Sequence, residues 1–175
     1  PPTEIPMMKI RHLLALAVLA AIVTGCGKKE SAATPMPAVS LIPEALIVSS
    51  IAGTAVTPTA AKITAKAGDA IVLTGHIAGR AQPFVAGRAI FTLVDTKLPQ
   101  CTDGCSAPWD LCCEEAADIA AAAATVQVVD AEGNPLKQSL EGPLKPGQTI
   151  AVSGKVKQND GIIFVISADQ IAVLK

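Results

Sequence analysis

The clearest strand of this chain reads Thr149-Ile150-Ala151-Val152-Ser153-Gly154-Lys155-Val156-Lys157. Its large apolar residues alternate with small or polar ones, which is the period of a strand with one buried and one solvated face. Immediately after it, Asn159-Asp160-Gly161 predicts a tight turn into a strand over residues 162–167. Residues 171–174 predict one more short strand. This part of the chain is therefore predicted to be a β-meander.

Three further strands and one helix are predicted upstream of the meander. Residues 70–78, 89–95 and 125–130 are rich in β-branched residues and are separated by segments that contain Gly, Pro, Asn or Asp. Residues 114–123 predict a helix, because alanine has the highest helix propensity and acidic residues lie near its N-terminus. The fold class is therefore mainly β, with one short Ala-rich helix.

The order of these elements resembles the small Greek-key barrels called OB-folds, over about residues 65–175. The segments that carry the resemblance are Val72-Leu73-Thr74-Gly75-His76-Ile77, Phe91-Thr92-Leu93-Val94-Asp95, Val126-Gln127-Val128-Val129-Asp130 and Val152-Ser153-Gly154-Lys155-Val156. The resemblance implies a small OB-like barrel with a Cys-rich insertion between its second and third strands. It implies no particular ligand, because OB-folds bind oligonucleotides, sugars or proteins.

The N-terminal part of the sequence predicts export. Residues 7–25 combine a short basic region with an apolar run of signal-peptide length, and residues 1–6 precede any methionine, which indicates a non-native or mis-annotated extension. The motif Val23-Thr24-Gly25-Cys26 resembles the lipobox of bacterial lipoproteins. That resemblance implies cleavage before Cys26, lipid on its thiol and attachment to a bilayer of the cell envelope. Gly27 favours the outer membrane, with the domain facing the periplasm.

The lipidated cysteine is followed by a stretch that predicts a tether. Residues 26–64 are rich in Ala, Ser, Thr and Pro, a composition that buries too little apolar surface to offset the entropy of ordering. Residues 46–51 are the exception, since their apolar character suits an added edge strand. The OB-like domain is expected over residues 65–175.

Composition argues against several classes of function. The net charge of -1 and the pI of about 6.1 provide no basic field for nucleic acid, and only Trp109, Phe84, Phe91 and Phe164 could stack on bases. His76 is the single histidine after the predicted signal peptide, and there is no glycine-rich phosphate loop or Ser-His-Asp order. We therefore expect a non-catalytic protein that does not bind nucleic acid, although OB-type nucleic-acid binding stays an alternative.

Four cysteines fall within residues 99–115, hereafter the cysteine loop: Cys101, Cys105, Cys112 and Cys113. An even number of cysteines in an oxidising compartment predicts two disulfides. Adjacent cysteines rarely bridge each other, so Cys112 and Cys113 would each pair with Cys101 or Cys105, in an order that the sequence leaves open. Residues 107–113 also resemble a Pro-Trp-Asp-x-Cys-Cys motif of uncharacterised lipoproteins from planctomycete-like bacteria, which implies kinship only.

A metal site is the alternative use of these cysteines. Four thiolates at C-x3-C-x6-C-C can hold zinc, copper(I) or an iron–sulfur cluster, although adjacent ligands are unusual for a single zinc ion. A thiol-redox function is a further alternative, but the loop has no C-x-x-C motif. The acidic residues in and near the loop could bind calcium or simply be solvated: Asp95, Asp103, Asp110, Glu114, Glu115 and Asp118.

Several polar residues are candidates for a ligand-binding face on the barrel. His76 lies on a predicted strand, Arg80 and Arg88 flank the first hairpin loop, and Lys155 and Lys157 project from one face of a strand. Together they could bind an anion, although isolated surface cations mostly serve solubility. The leading hypothesis from the sequence is a lipid-anchored, non-catalytic binding or scaffold module whose partner is an envelope protein or a small ligand.

Overall fold

The computed structural model describes residues 42–102 and 104–174. Its elements are β1 (Ile47–Val48), α1 (Pro58–Thr64), β2 (Ala70–Ile77), β3 (Ile90–Val94), α2 (Ala116–Ala122), β4 (Ala123–Val128), β5 (Thr149–Asn159) and β6 (Phe164–Val173). A single 3-10 turn, Pro108–Asp110, lies between β3 and α2. The predicted signal peptide, Cys26 and the first part of the tether lie outside the described residues.

The strands β2 to β6 close into a barrel. β2 pairs with β3 and β3 with β4 in antiparallel fashion, β4 pairs with β6 in parallel, and β5 completes the ring by antiparallel pairing with both β6 and β2. Around the barrel the strands therefore follow in the order β2, β3, β4, β6, β5 and back to β2, and β4 and β6 run parallel. This is a Greek-key closure, and the OB-like fold class expected from the sequence is confirmed.

The barrel core is filled by one face of every strand. On β5, Ile150, Val152 and Val156 are buried while Lys155 and Lys157 are exposed, as the alternation predicts. The largest side chains of the core are Leu46, Leu73, Ile77, Phe91, Leu93, Leu140, Leu144, Phe164, Ile166 and Ile171. Burial of this apolar surface is the main contribution to the stability of the barrel.

Gly154 allows β5 and β6 to approach each other closely. A Cβ atom at this position would overlap the carbonyl oxygen of Ser167 on β6, and the register between the two strands shifts between Ser153 and Gly154. Such a bulge bends a strand and increases its twist, which a small barrel needs in order to close. The sequence predicts two strands here, but β6 is one strand, Phe164–Val173. Its pairing with β5 continues on both sides of the register shift.

Two elements lie within the stretch expected to be a tether. β1 adds to β6 by parallel pairing of Ile47 with Ile171, in line with the edge strand expected over residues 46–51, and Leu46 is buried in the core. The helix α1 was not predicted. Thr57 caps its N-terminus by accepting a hydrogen bond from the N–H of Ala60, and Pro58 is its first residue. None of the helices in the described ranges is long and apolar enough to cross a membrane.

Candidate metal centre

The cysteine loop is fixed to one end of the barrel by Trp109 and Leu111. The carbonyl of Trp109 accepts a hydrogen bond from the N–H of Gly79 (2.8 Å), and its indole Nε1–H donates to the carbonyl of Ala81 (3.1 Å). Leu111 is fully buried in a small apolar cluster with Ala78, Val94 and Ala122. The loop therefore packs on the residues that follow β2 and does not extend freely into solvent.

A second contact joins the loop to the segment before β5. The side-chain amide of Gln100 donates to the carbonyl of Gly147 (2.7 Å), and the N–H of Gly147 donates to the carbonyl of Ile77 at the end of β2. Within the loop, the N–H of Cys101 donates to the carbonyl of Pro108 (3.0 Å). This bond folds the first half of the loop back on the second, so that the cysteines of both halves meet.

An uncommon backbone conformation directs the adjacent cysteines. Leu111 has φ 57°, and it is the one non-glycine residue with positive φ in the part of the chain that the structure describes. That conformation costs about 1–2 kcal/mol for a residue with a side chain, and the burial of Leu111 offsets it. A turn closed by the N–H of Glu114 and the carbonyl of Leu111 follows, with Cys112 and Cys113 at its centre. The adjacent pair therefore sits at the tip of a turn and can direct two sulfurs to one point.

The four sulfur atoms converge. Sγ of Cys105 lies 3.3 Å from Sγ of Cys112, Sγ of Cys101 lies 3.5 Å from Sγ of Cys113 and 3.9 Å from Sγ of Cys112, and all four lie within 4.8 Å of one another. No S–S bond joins any two of these four sulfurs in the structure. A tetrahedral ion with metal–sulfur bonds of about 2.3 Å requires sulfurs roughly 3.8 Å apart. The three shortest of these separations lie within about 0.5 Å of such an edge, and none exceeds 4.8 Å, so small movements would complete one tetrahedral site.

Hydrogen bonds within the cluster shift the pKa values of three of the thiols in opposite directions. The N–H of Cys113 and the neighbouring thiols favour the thiolate of Cys101 and lower its pKa. The hydrogen bond with Cys112 raises the pKa of Cys105 to about 12, and the hydrogen bond with Cys101 raises the pKa of Cys113 to about 11. The S–H groups can therefore hydrogen-bond to one another, whereas four thiolates at these distances would repel. A bound cation would replace those protons and stabilise all four as thiolates.

Carboxylates and histidine do not form a second cluster of this kind. Within residues 42–102 and 104–174, the four cysteines are the one group of three or more His, Cys, Asp or Glu side chains close enough to share an ion. Asp95, from the acidic set considered for calcium, is fully buried at the end of β3, where its Oδ1 accepts the N–H of Lys97. Asp103 of the same region lies outside the described residues.

The residues considered for a ligand face are dispersed over the barrel. His76 is half-buried on β2, with Nδ1 3.0 Å from Oγ1 of Thr149, and burial lowers its pKa although the charge of Asp95 opposes that change. Register pairs His76 with Thr149 but Lys155 with Ala70, six residues further along β5, or roughly 20 Å away. His76 and the lysines therefore lie at opposite ends of the β2–β5 pair.

The remaining cations are exposed. Arg80 and Arg88 lie in the exposed loop between β2 and β3. The Nζ atom of Lys157 donates to Oε1 of Gln127 and to the carbonyl of Gly133. The three phenylalanines are buried in the core, which leaves Trp109 as the one partly exposed aromatic side chain among the described residues. No platform of aromatic side chains for nucleic-acid bases is assembled there.

Three residues that hold the loop were not singled out from sequence as functional: Gln100, Trp109 and Leu111. A signal for Leu111 was available, since it is the lone large aliphatic residue in a polar segment and it directly precedes the adjacent cysteines. No protein-family model matches this chain, and no curated protein and no solved structure matches it either.

Proposed function

We propose that this chain is a non-catalytic metal-binding module in which Cys101, Cys105, Cys112 and Cys113 hold one zinc ion on an OB-like barrel. The observation that carries the proposal is the convergence of four sulfurs within 4.8 Å of one another. Four protein ligands fill a tetrahedral shell, which is the composition of structural zinc sites and leaves no open position for a substrate. The role of the ion is then to hold the cysteine loop in a fixed shape.

Zinc is the best match among the metals considered. A tetrahedral set of four thiolates suits zinc or a single iron, whereas an iron–sulfur cluster needs its cysteines spread around several iron atoms. Copper(I) is also bound by soft thiolates. The close S–S separations favour one ion over a cluster.

The test is the metal content of the reduced chain carrying Cys26→Ala, which removes the predicted lipid site and the one other cysteine. We expect one equivalent of zinc by elemental mass spectrometry, and its loss when Cys112→Ser is added. Ser106→Ala, a change beside Cys105, is the matched control and should retain the metal. Four alkylatable thiols with no bound metal after zinc loading would refute the proposal.

We also propose that the module is exported and attached to the outer membrane of a bacterial cell envelope through lipid on Cys26. The support is the lipobox-like sequence around Cys26, together with the preceding apolar run. Cys26→Ala should move the protein from the membrane fraction to the supernatant, whereas Cys105→Ala should leave it with the membranes. Equal membrane association of the two variants would contradict the anchor.

A further inference from the structure

The four sulfurs form two close pairs. The separations of 3.3 Å and 3.5 Å join Cys105 to Cys112 and Cys101 to Cys113, and each sulfur belongs to one of these pairs. A disulfide bond is about 2.05 Å long, so each pair needs a movement of roughly 1.5 Å to form one. The same side chains that can enclose one ion are thus close to two specific disulfides.

The pairing is nested, which gives a use to the adjacent cysteines. In sequence, Cys105 and Cys112 both lie between Cys101 and Cys113, so the inner disulfide would lie within the loop closed by the outer one. Adjacent cysteines that each turn to a different partner avoid the strained ring of a bridge between neighbours. Gly104, between Cys101 and Cys105, has φ 68°, a left-handed backbone conformation that glycine favours.

The cluster is open to small solutes. Cys112 and Cys113 are exposed, Cys101 and Cys105 are half-buried, and a pocket of about 220 Å³ is lined by Cys101 and Cys113. The contacts that fix the loop to the barrel come from Gln100, Trp109 and Leu111, not from the sulfurs. Sulfur chemistry can therefore change the loop without removing it from the barrel.

We propose that the site is a peroxide-responsive switch, in which oxidation closes the Cys105–Cys112 and Cys101–Cys113 disulfides and releases the metal. This inference rests on the zinc site of the proposed function. Once both pairs are bonded, no thiolate remains to bind the ion, so the oxidised loop is held by covalent bonds and the reduced loop by metal.

The chemistry balances with hydrogen peroxide as the oxidant. In each pair a thiolate attacks one peroxide oxygen and becomes a sulfenic acid, and the partner sulfur displaces its oxygen to form the S–S bond. The four thiolates lose four electrons in total and two peroxide molecules accept them. Four protons are consumed, four water molecules form and one Zn²⁺ leaves.

The first measurement follows zinc and thiols together in the full chain carrying Cys26→Ala, loaded with zinc and treated with peroxide. We expect one zinc released for every two peroxide molecules consumed, a loss of four hydrogens by intact mass and no alkylatable thiol. A thiol reductant with added zinc should restore the starting mass and metal content. Sulfinic acid products, cross-linked dimers or oxidation without zinc release would overturn the switch.

The second measurement tests the pairing with double variants that each leave two thiols. C101S/C113S keeps Cys105 and Cys112, whereas C101S/C112S keeps Cys105 and Cys113 as the matched control. We expect the first variant to form its disulfide about tenfold faster, because its sulfurs are in contact. Equal rates would overturn the assigned pairing.

The two measurements distinguish failure of the switch from failure of the metal site. A parent chain that binds zinc but shows no pair preference retains the proposed function and loses the inferred pairing. A parent chain that binds no zinc refutes both the proposed function and the metal-release step. In that case a faster C101S/C113S variant would still assign the disulfides as a purely structural pair.

Discussion

In the barrel, Phe91, Leu73 and Ile166 lie within a continuous apolar core and each of the five strands has hydrogen-bonded neighbours on both sides. The cysteine loop has no strand pairing and only a small apolar cluster around Leu111. Burial of apolar side chains is the main stabilising contribution in the barrel. The loop is held by the contacts of Gln100, Trp109 and Leu111, and the proposed ion would add a cross-link that further offsets the entropy of ordering its backbone. We therefore expect an ion or a disulfide to stabilise the cysteine loop more than the barrel.

The largest expected effect tests the barrel side of this comparison. Phe91→Ala removes a fully buried ring and should lower the free energy of unfolding by about 3–5 kcal/mol. Urea denaturation followed by circular dichroism measures the change. Ile162→Ala, at a position that is 81% exposed, is the control and should stay within about 0.5 kcal/mol of the parent. A loss below 1 kcal/mol for Phe91→Ala would contradict the assigned core.

A smaller effect is expected for Leu111→Ala, which tests whether the loop opens separately. The buried leucine should contribute about 2 kcal/mol, the lower end for such a truncation, because its cluster is small. Hydrogen exchange by mass spectrometry should show faster exchange in residues 99–115, with unchanged protection in β2, β5 and β6, and zinc affinity should fall. Equal acceleration in the strands would mean that barrel and loop unfold together.

The smallest effect is a difference in pH dependence between the two regions. Acid should release zinc from the cysteine loop at a higher pH than it destabilises the barrel. Zinc must displace protons from thiols such as Cys105, whose pKa is raised to about 12, so the affinity for zinc falls as pH decreases. Burial opposes ionisation of Asp95, but the hydrogen bond from the N–H of Lys97 and the nearby hydroxyls of Thr59 and Thr57 outweigh it and lower the pKa of Asp95 below 3.8. Its contribution to stability is therefore present above pH 3.8 and is lost as pH falls through the lowered pKa.

An acid titration measures this difference, with a zinc indicator and circular dichroism read on the same sample. Zinc release should come at higher pH than any loss of barrel structure. Asp95→Asn should remove part of the acid dependence of the barrel and leave the pH of zinc release unchanged. A barrel that unfolds together with zinc release would show that the ion stabilises the whole domain.

The sequence predicts the barrel better than the site. Alternation over residues 149–157 and the Asn159-Asp160-Gly161 turn are local signals, and the structure has β5, that turn and β6 at these positions. The helix α1 was missed although Thr57-Pro58 is a helix-start signal, because the Ala- and Thr-rich composition around it favours disorder.

For the site, the four cysteines were found from their clustering, but their geometry was not. Spacing argued against adjacent zinc ligands, and that argument assumes an ordinary backbone at residue 111. The positive φ of Leu111 depends on the cavity between the end of β2 and α2 that its side chain fills, and such tertiary packing is not encoded in ligand spacing. The distance between His76 and Lys155 could not be predicted for a related reason, since it depends on the register of β2 and β5.

The position of β6 after its partner strands determines when the barrel can close during synthesis. β6 bonds to β1, β4 and β5 and follows all three of them in sequence. Until β6 has been translated, β1, β4 and β5 lack this common partner and the barrel cannot close. Late closure suits the proposed export, because an export channel accepts unfolded chains.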